Sequence, residues 1–458
     1  MRKTLILLAL MFTAFVSTPA RADTGMIIIR DTEIEGTLRS WVTPIWQAAG
    51  LNPQSTKLIL VQSPDFNAFV AGGPNIFLYT GMILRAQNPG EILGVLAHET
   101  GHIADGHLIR GREAMERASY EAMLGMILGI GAGAAGGGGA ANALILGGQG
   151  MAISQFLAHS RVQESSADQA GLRFLQAAGD SPEGMVTLLE KLKSQELMPQ
   201  SQQSAYLQTH PLTTDRLAAM EAGAAKSPYL NKPYPAAWDD AYKRIQAKLL
   251  GFIQPDRVAW VYPPADNSIP AQYARTIAAY RRSEKDKALA GIDALIAHET
   301  QNPYFYELKG QMLRDFGQLP GAAQAYHKAV ALKPDAALIR IDLAQVLVAM
   351  AGNNGDGALY REAETQLDAA RDKEPRSVDM QRLYATIYGR QGDESRARYH
   401  LAEQAVLEGR MREARTLLAG AIGGIKPGNK DFRAANDLKL YLDSQPDKSD
   451  KKGDRDSR

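Results

Sequence analysis

Residues 88–107 read NPGEILGVLAHETGHIADGH, and no other stretch restricts the fold of this chain as tightly. Asn88 suits a helix cap, Pro89 suits the first helical turn, and Glu91 stands three residues beyond the cap. Ile92, Leu93, Val95 and Leu96 supply the apolar face. A helix starting here projects His98 and His102, four residues apart, from one side, with Glu99 following the first histidine. This is H-E-x-x-H on a helix: two neutral imidazoles suited to hold zinc, and a glutamate suited to take a proton from water.

The chain contains no cysteine, which excludes disulfides, thiolate zinc sites, iron–sulfur clusters and thiol catalysis. A metal is left to His, Asp and Glu, and the histidines are His98, His102, His107, His159, His210, His298, His327 and His400. A hydrophobic fraction of 45% with 22% charged residues is an ordinary globular balance. The 458 residues suggest two or three domains. The net charge of +1 leaves no basic surface to favour nucleic acid, so none is expected as a partner.

A catalytic zinc needs a third protein ligand and an open position. The longer pattern H-E-x-x-H-x-x-G-x-x-H fails, because Asp105 holds the glycine place and Leu108 the last histidine place. His107 therefore reads as a surface or supporting residue, and the third ligand should come from a separate helix. The candidate is SRVQESSADQAGLRFLQAAG, residues 160–179. Glu164 and Asp168 are four apart there, with Ala167 and Gly171 small enough for close approach. On spacing alone the pair fits a solvated acidic face as well.

Residues 1–22, MRKTLILLALMFTAFVSTPARA, have a basic start, a short apolar run and an A-x-A ending, the pattern of a cleaved signal peptide. The expected location is the periplasm. Residues 23–225 hold five of the histidines and form the first domain, and residues 226–269 are a proline-rich connector with a short helix near 238–250. Residues 270–440 read as paired helices. The unit NPYFYELKGQMLRDFGQLPGAAQAYHKAVALKPD, with Gly317 at its turn, resembles the tetratricopeptide repeat, and RLYATIYGRQGDESRARYHLAEQAVLEGR repeats the theme. Stacked helix pairs make a concave groove suited to a protein segment. Residues 441–458 are expected to be a disordered charged tail. Residues 122–150 are apolar and glycine-rich. Eleven glycines between Gly125 and Gly150 interrupt them, which favours a loop or re-entrant pair touching the membrane surface over a transmembrane span.

HETGH followed by E-x-x-A-D resembles the gluzincin metalloprotease family that includes the CAAX prenyl endopeptidases and the membrane protease HtpX. The resemblance implies an α+β protease domain, mainly α with a small β-sheet, here followed by an α-solenoid of repeats. It implies zinc, one per chain, held by His98, His102 and Glu164, with Glu99 as the catalytic base. Asp168 would hydrogen-bond a ligand histidine and fix its tautomer. HPLTTDR resembles the family's H-P-x-x-x-x-R segment. His210 would then be an inhibitory fourth ligand, and Arg216 would lie near the site, placed to aid transition-state charge. Asn75, Ile76, Phe77, Leu78 and Tyr79 would form an edge strand that pairs with an extended substrate.

Three functions follow. The first is a periplasmic zinc endopeptidase for misfolded or stalled envelope proteins. In periplasmic relatives with such repeats, the clients are outer-membrane β-barrel proteins and the docking partner is the β-barrel assembly machinery, which implies a place peripheral to the outer membrane. The second is a mainly non-proteolytic chaperone or assembly factor that binds clients through the repeats. The third is a membrane-integrated protease.

Overall fold

Asp31 opens the first helix by accepting the Ile34 N–H on its side chain, and every third or fourth residue after it is apolar. The computed structural model describes residues 26–107, 150–196, 199, 202–354 and 356–445. Strand β1 (Ile28–Ile29) leads into helix α1 (Thr32–Ala48), which buries Ile34, Leu38, Trp41, Val42, Ile45 and Trp46. Strands β2 (Lys57–Val61), β3 (Ala68–Val70) and β4 (Asn75–Tyr79) follow, then helices α2 (Thr80–Arg85) and α3 (Pro89–Ala104). The sheet order is β1-β2-β4-β3. β2 and β4 run parallel with Lys57 opposite Asn75 and Val61 opposite Tyr79, and β3 lies antiparallel with Ala68 opposite Leu78.

This order corrects the expectation for residues 75–79. They do form a strand, but β4 is interior, with both backbone edges bonded to neighbours. An extended substrate has no free hydrogen-bonding groups to meet there. Among the described residues, the outermost strand on that side is β3.

The cap at α3 forms as its residue types require: Asn88 Oδ1 accepts the Glu91 N–H at 3.0 Å. Glu91 takes the Gln87 N–H and the Lys191 ammonium instead of closing a box on Asn88. α3 is buried from Pro89 to Gly101, so it forms the centre of the first unit. Helices α4 (Gly150–Ala178) and α5 (Glu183–Glu196) pack against it, and α6 (Ala205–Thr209) and α7 (Thr214–Ala224) pack on these in turn. Glycine sets the closest approach. A Cβ on Gly101 would stand 2.7 Å from the Ala167 carbonyl oxygen, so α3 and α4 touch backbone to backbone.

Helix α8 (Ala236–Ile253) is longer than the connector helix expected from sequence, and Tyr242, Ile245 and Leu249 join the core of the first unit. After the short α9 (Val258–Val261), the chain forms helical hairpins. They are α10–α11 (Ile269–Arg281, Lys285–His298), α12–α13 (Pro303–Asp315, Leu319–Leu332), α14–α15 (Ala337–Asn354, Gly357–Ala370), α16–α17 (Val378–Arg390, Glu394–Leu407) and α18–α19 (Met411–Ala421, Phe432–Ser444). Gly317 turns with φ +75° between α12 and α13, where its sequence position implied. Tyr326 packs on Gly310 inside that hairpin, since a Cβ there would stand 2.7 Å from the ring. α19 runs through Ser444 with Leu442 buried, past the residue 440 limit read from composition.

The signal-peptide reading of 1–22 lies outside the described residues. So do the glycine-rich reading of 122–150, apart from Gly150 at the start of α4, and the tail reading beyond residue 445. Among the described residues no helix is long and apolar enough to cross a membrane.

The first unit meets the hairpins through buried charge. Lys248 Nζ lies 2.7 Å from Asp31 and 3.1 Å from Glu33, and Tyr273 donates to Glu33 at 2.9 Å. Thr32 donates to Glu307 Oε1 at 3.0 Å. Farther along, Arg30 pairs with Glu374 at 2.6 Å, which brings the third hairpin's exit against the start of α1.

Candidate metal centre

His98 and His102 leave α3 on one side, a turn apart, and α4 crosses that side at the Gly101–Ala167 contact. Glu164 and Asp168 flank Ala167 on α4 as His98 and His102 flank Gly101 on α3. The four side chains therefore meet at the crossing. The Nε2 atoms of His98 and His102 stand 3.1 Å apart. Glu164 Oε2 is 3.3 Å from His98 Nε2, and Oε1 is 3.3 Å from His102 Nε2. Ligands about 2.0–2.1 Å from zinc at the corners of a tetrahedron are separated by about 3.3 Å. The donor set and its spacing thus fit a zinc ion.

His210 completes the group: one ligand atom from each of His98, His102, Glu164 and His210 lies within 4.8 Å of all the others. It sits at the C-cap of α6, with Nδ1 2.9 Å from Thr209 Oγ1 and its ring stacked on Tyr206 at 4.4 Å. Its Nε2 is 3.5 Å from Glu99 Oε1. Glu99 is 1% exposed, and among the described residues neither of its carboxylate oxygens receives a hydrogen bond. A buried carboxylate without donors is costly unless another group or water supplies them.

Asp168 Oδ1 lies 2.9 Å from His98 Nδ1, a contact that fixes the orientation of that ring. Arg216, from the first turn of α7, grips Asp168 with Nε at 2.7 Å and Nη2 at 2.9 Å. Its Nη1 donates to the Pro211 carbonyl at 2.6 Å and lies 3.2 Å from Glu164 Oε2. The arginine therefore lies beside the candidate ligand group. Its donors, however, are committed to the two carboxylates and the His-Pro loop, which makes it a group that holds ligands in place.

Burial and charge oppose one another here. Burial disfavours a charge on His98, but the hydrogen-bonded carboxylates of Asp168 and Glu164 outweigh it and push its pKa up to about 10. Burial also resists ionisation of Glu164, yet the imidazoles of His210 and His102 hold its carboxyl well below the usual range. Asp168 is likewise held low against burial by His98 and Arg216. Burial dominates at His210 and draws its pKa down, which favours the neutral imidazole that a metal requires.

Sequence reasoning left two neighbours unassigned. Tyr206 precedes His210 by four residues, a spacing that puts both at one side of a helical turn, and its aromatic ring could have marked it as the seat of the histidine. His107 was left open between surface and support; it is buried, with Nδ1 3.0 Å from His102 Nδ1.

Residues 32–224 match the family model described as Peptidase family M48. The chain is similar to the β-barrel assembly-enhancing protease of Yersinia pestis, 26% identical over 81% of this chain and 75% of that protein. It is 28% identical to the protein of the same name from Escherichia coli K12, over 57% of this chain and 53% of that protein. It is also 31% identical to the metalloprotease LoiP of E. coli K12, over 38% of this chain and 66% of that protein. The match therefore spans about half the length of the E. coli assembly-enhancing protease.

Proposed function

From the match of residues 32–224 to Peptidase family M48 and the similarity to metalloproteases, we propose that this chain is a zinc-dependent endopeptidase of the periplasm acting on unfolded or stalled outer-membrane β-barrel proteins. One observation carries the zinc chemistry: a carboxylate from α4 stands 3.3 Å from both histidines of α3. The client class rests on the similarity to the assembly-enhancing proteases and on the helical hairpins, whose array would gather clients or dock on the β-barrel assembly machinery. A peripheral membrane contact through residues 122–150 belongs to the same reading.

His98, His102 and Glu164 would hold the zinc. When bound, zinc supplies Lewis acidity, which makes water acidic enough for a carboxylate base and polarises a peptide carbonyl. Glu99 takes the proton from water and returns it to the leaving amine. Asp168 fixes the His98 ring, and Arg216 holds Asp168 and Glu164. β3 is the strand on which an extended client would add. His210 lies between Glu99 and the ligand group, so it competes with water for the same place and keeps the enzyme latent until its loop moves.

Digestion of casein and of an unfolded outer-membrane barrel by wild type, Glu99→Gln and His210→Ala tests this, with zinc content measured on each. Glu99→Gln should keep zinc and lose cleavage by at least about 100-fold. His210→Ala should cleave faster than wild type. A Glu99→Gln protein as active as wild type sinks the protease reading. The position of His210 beside Glu99 favours a second reading, an assembly factor that works mainly by binding while its hydrolytic site rests. Assembly activity that survives Glu99→Gln would support it.

A further inference from the structure

We infer that His107 is a positioning residue for His102, doing for the second ligand histidine what Asp168 does for the first. The inference rests on the metal reading above.

The residues 104–107 build this contact locally. α3 ends at Ala104, and the Asp105 N–H donates to the Gly101 carbonyl at 2.9 Å. Gly106 then adopts φ +65°, a left-handed turn that side-chain-bearing residues resist, and its N–H donates to Ile103 at 3.1 Å. A Cβ at 106 would meet nothing within 4 Å, so the glycine is there for its backbone angle and not for space. The reversal returns residue 107 over the last turn of the helix. The His107 ring comes to rest 5.0 Å from that of His102, at 69°.

Chemistry gives the contact a direction. His102 turns Nε2 toward Glu164 and His98, so Nε2 must be free of a proton when a metal is held there. The ring proton then sits on Nδ1, a half-buried donor that an acceptor would hold in place. His107 Nδ1, 3.0 Å away, is that acceptor. Its own proton is then on Nε2, on the side of Asp105, whose Oδ2 is 3.8 Å off. Asp105 in turn accepts a hydrogen bond from Ser166, two residues beyond Glu164 on α4. A line of polar contacts thus runs from one ligand helix to the other outside the metal group. A histidine that merely filled space would have no reason to align the two Nδ1 atoms.

Zinc affinity of the full chain, measured by competition with a chromophoric chelator, tests this on wild type, His107→Ala and His107→Asn. Asparagine keeps an acceptor oxygen near the place of Nδ1. His107→Ala should bind zinc about 10–100-fold more weakly, the range for loss of a ligand's outer partner, and His107→Asn should remain close to wild type. An alanine variant that binds as tightly as wild type overturns the inference, and so does an asparagine variant as weak as alanine. A wild-type chain that binds no zinc overturns the metal reading beneath it instead.

Discussion

Arg216, expected from the family resemblance to aid transition-state charge, is instead occupied with the neighbouring carboxylates. Its guanidinium spans Asp168, Glu164 and the Pro211 carbonyl, and the bonds to Asp168 are buried. A lysine could supply the charge but not the planar fork. Arg216→Met should leave Asp168 as a buried carboxylate with half its partners gone, at a cost of about 3–5 kcal/mol. Urea denaturation of the metal-free protein measures this, and a loss below about 1 kcal/mol would show that Asp168 does not depend on the arginine. Glu99 is the opposite case. The role proposed for it comes from its place in H-E-x-x-H, because the i, i+1, i+4 geometry of a helix is fixed by the backbone.

Among the elements, the crossing of α3 and α4 decides whether a metal can be held. Gly101 and Ala167 are the contact, and each sits between a pair of functional residues on its own helix. Gly101→Val should force the helices apart, destabilise the protein by about 1–3 kcal/mol through overpacking, and weaken zinc binding by separating Glu164 from the histidines. Thermal unfolding and chelator competition read the two effects separately; unchanged zinc affinity would mean that the crossing does not set the ligand spacing. The sheet shows the limit of element-level reading. NIFLY is β-prone and forms a strand, but edge or interior is decided by which other strands arrive. β2 and β3 lie elsewhere in the chain and both pair with it.

At the scale of the whole molecule, the first unit and the hairpins are joined by Asp31, Glu33, Lys248, Tyr273 and Glu307. Burial pushes the Glu307 carboxyl up to about 8, only partly offset by Lys248, and its Oε2 has no hydrogen-bond partner among the described residues. An acid whose folded pKa is raised holds its proton after the unfolded chain has lost it. Its contribution is therefore complete below the ordinary value of 4.5 and is lost as pH rises through about 8. Glu307→Gln cannot ionise, so its melting temperature should gain on that of wild type between about pH 5 and 9. A constant offset across that range would contradict the assignment.

The sequence by itself determined what lies within one turn of one helix: the cap at Asn88, the common face of His98 and His102, the common face of Glu164 and Asp168, and the hairpin turn at Gly317. These follow from backbone periodicity and from φ preferences, which act over a few residues. The tertiary structure decided what lies between segments. It put Glu164 within 3.3 Å of both histidines, made β4 an interior strand, turned Arg216 onto the carboxylates and folded His107 onto His102. Such contacts depend on how closely two backbones approach, and that distance is fixed by packing at positions such as Gly101 and Ala167, remote in sequence from one another.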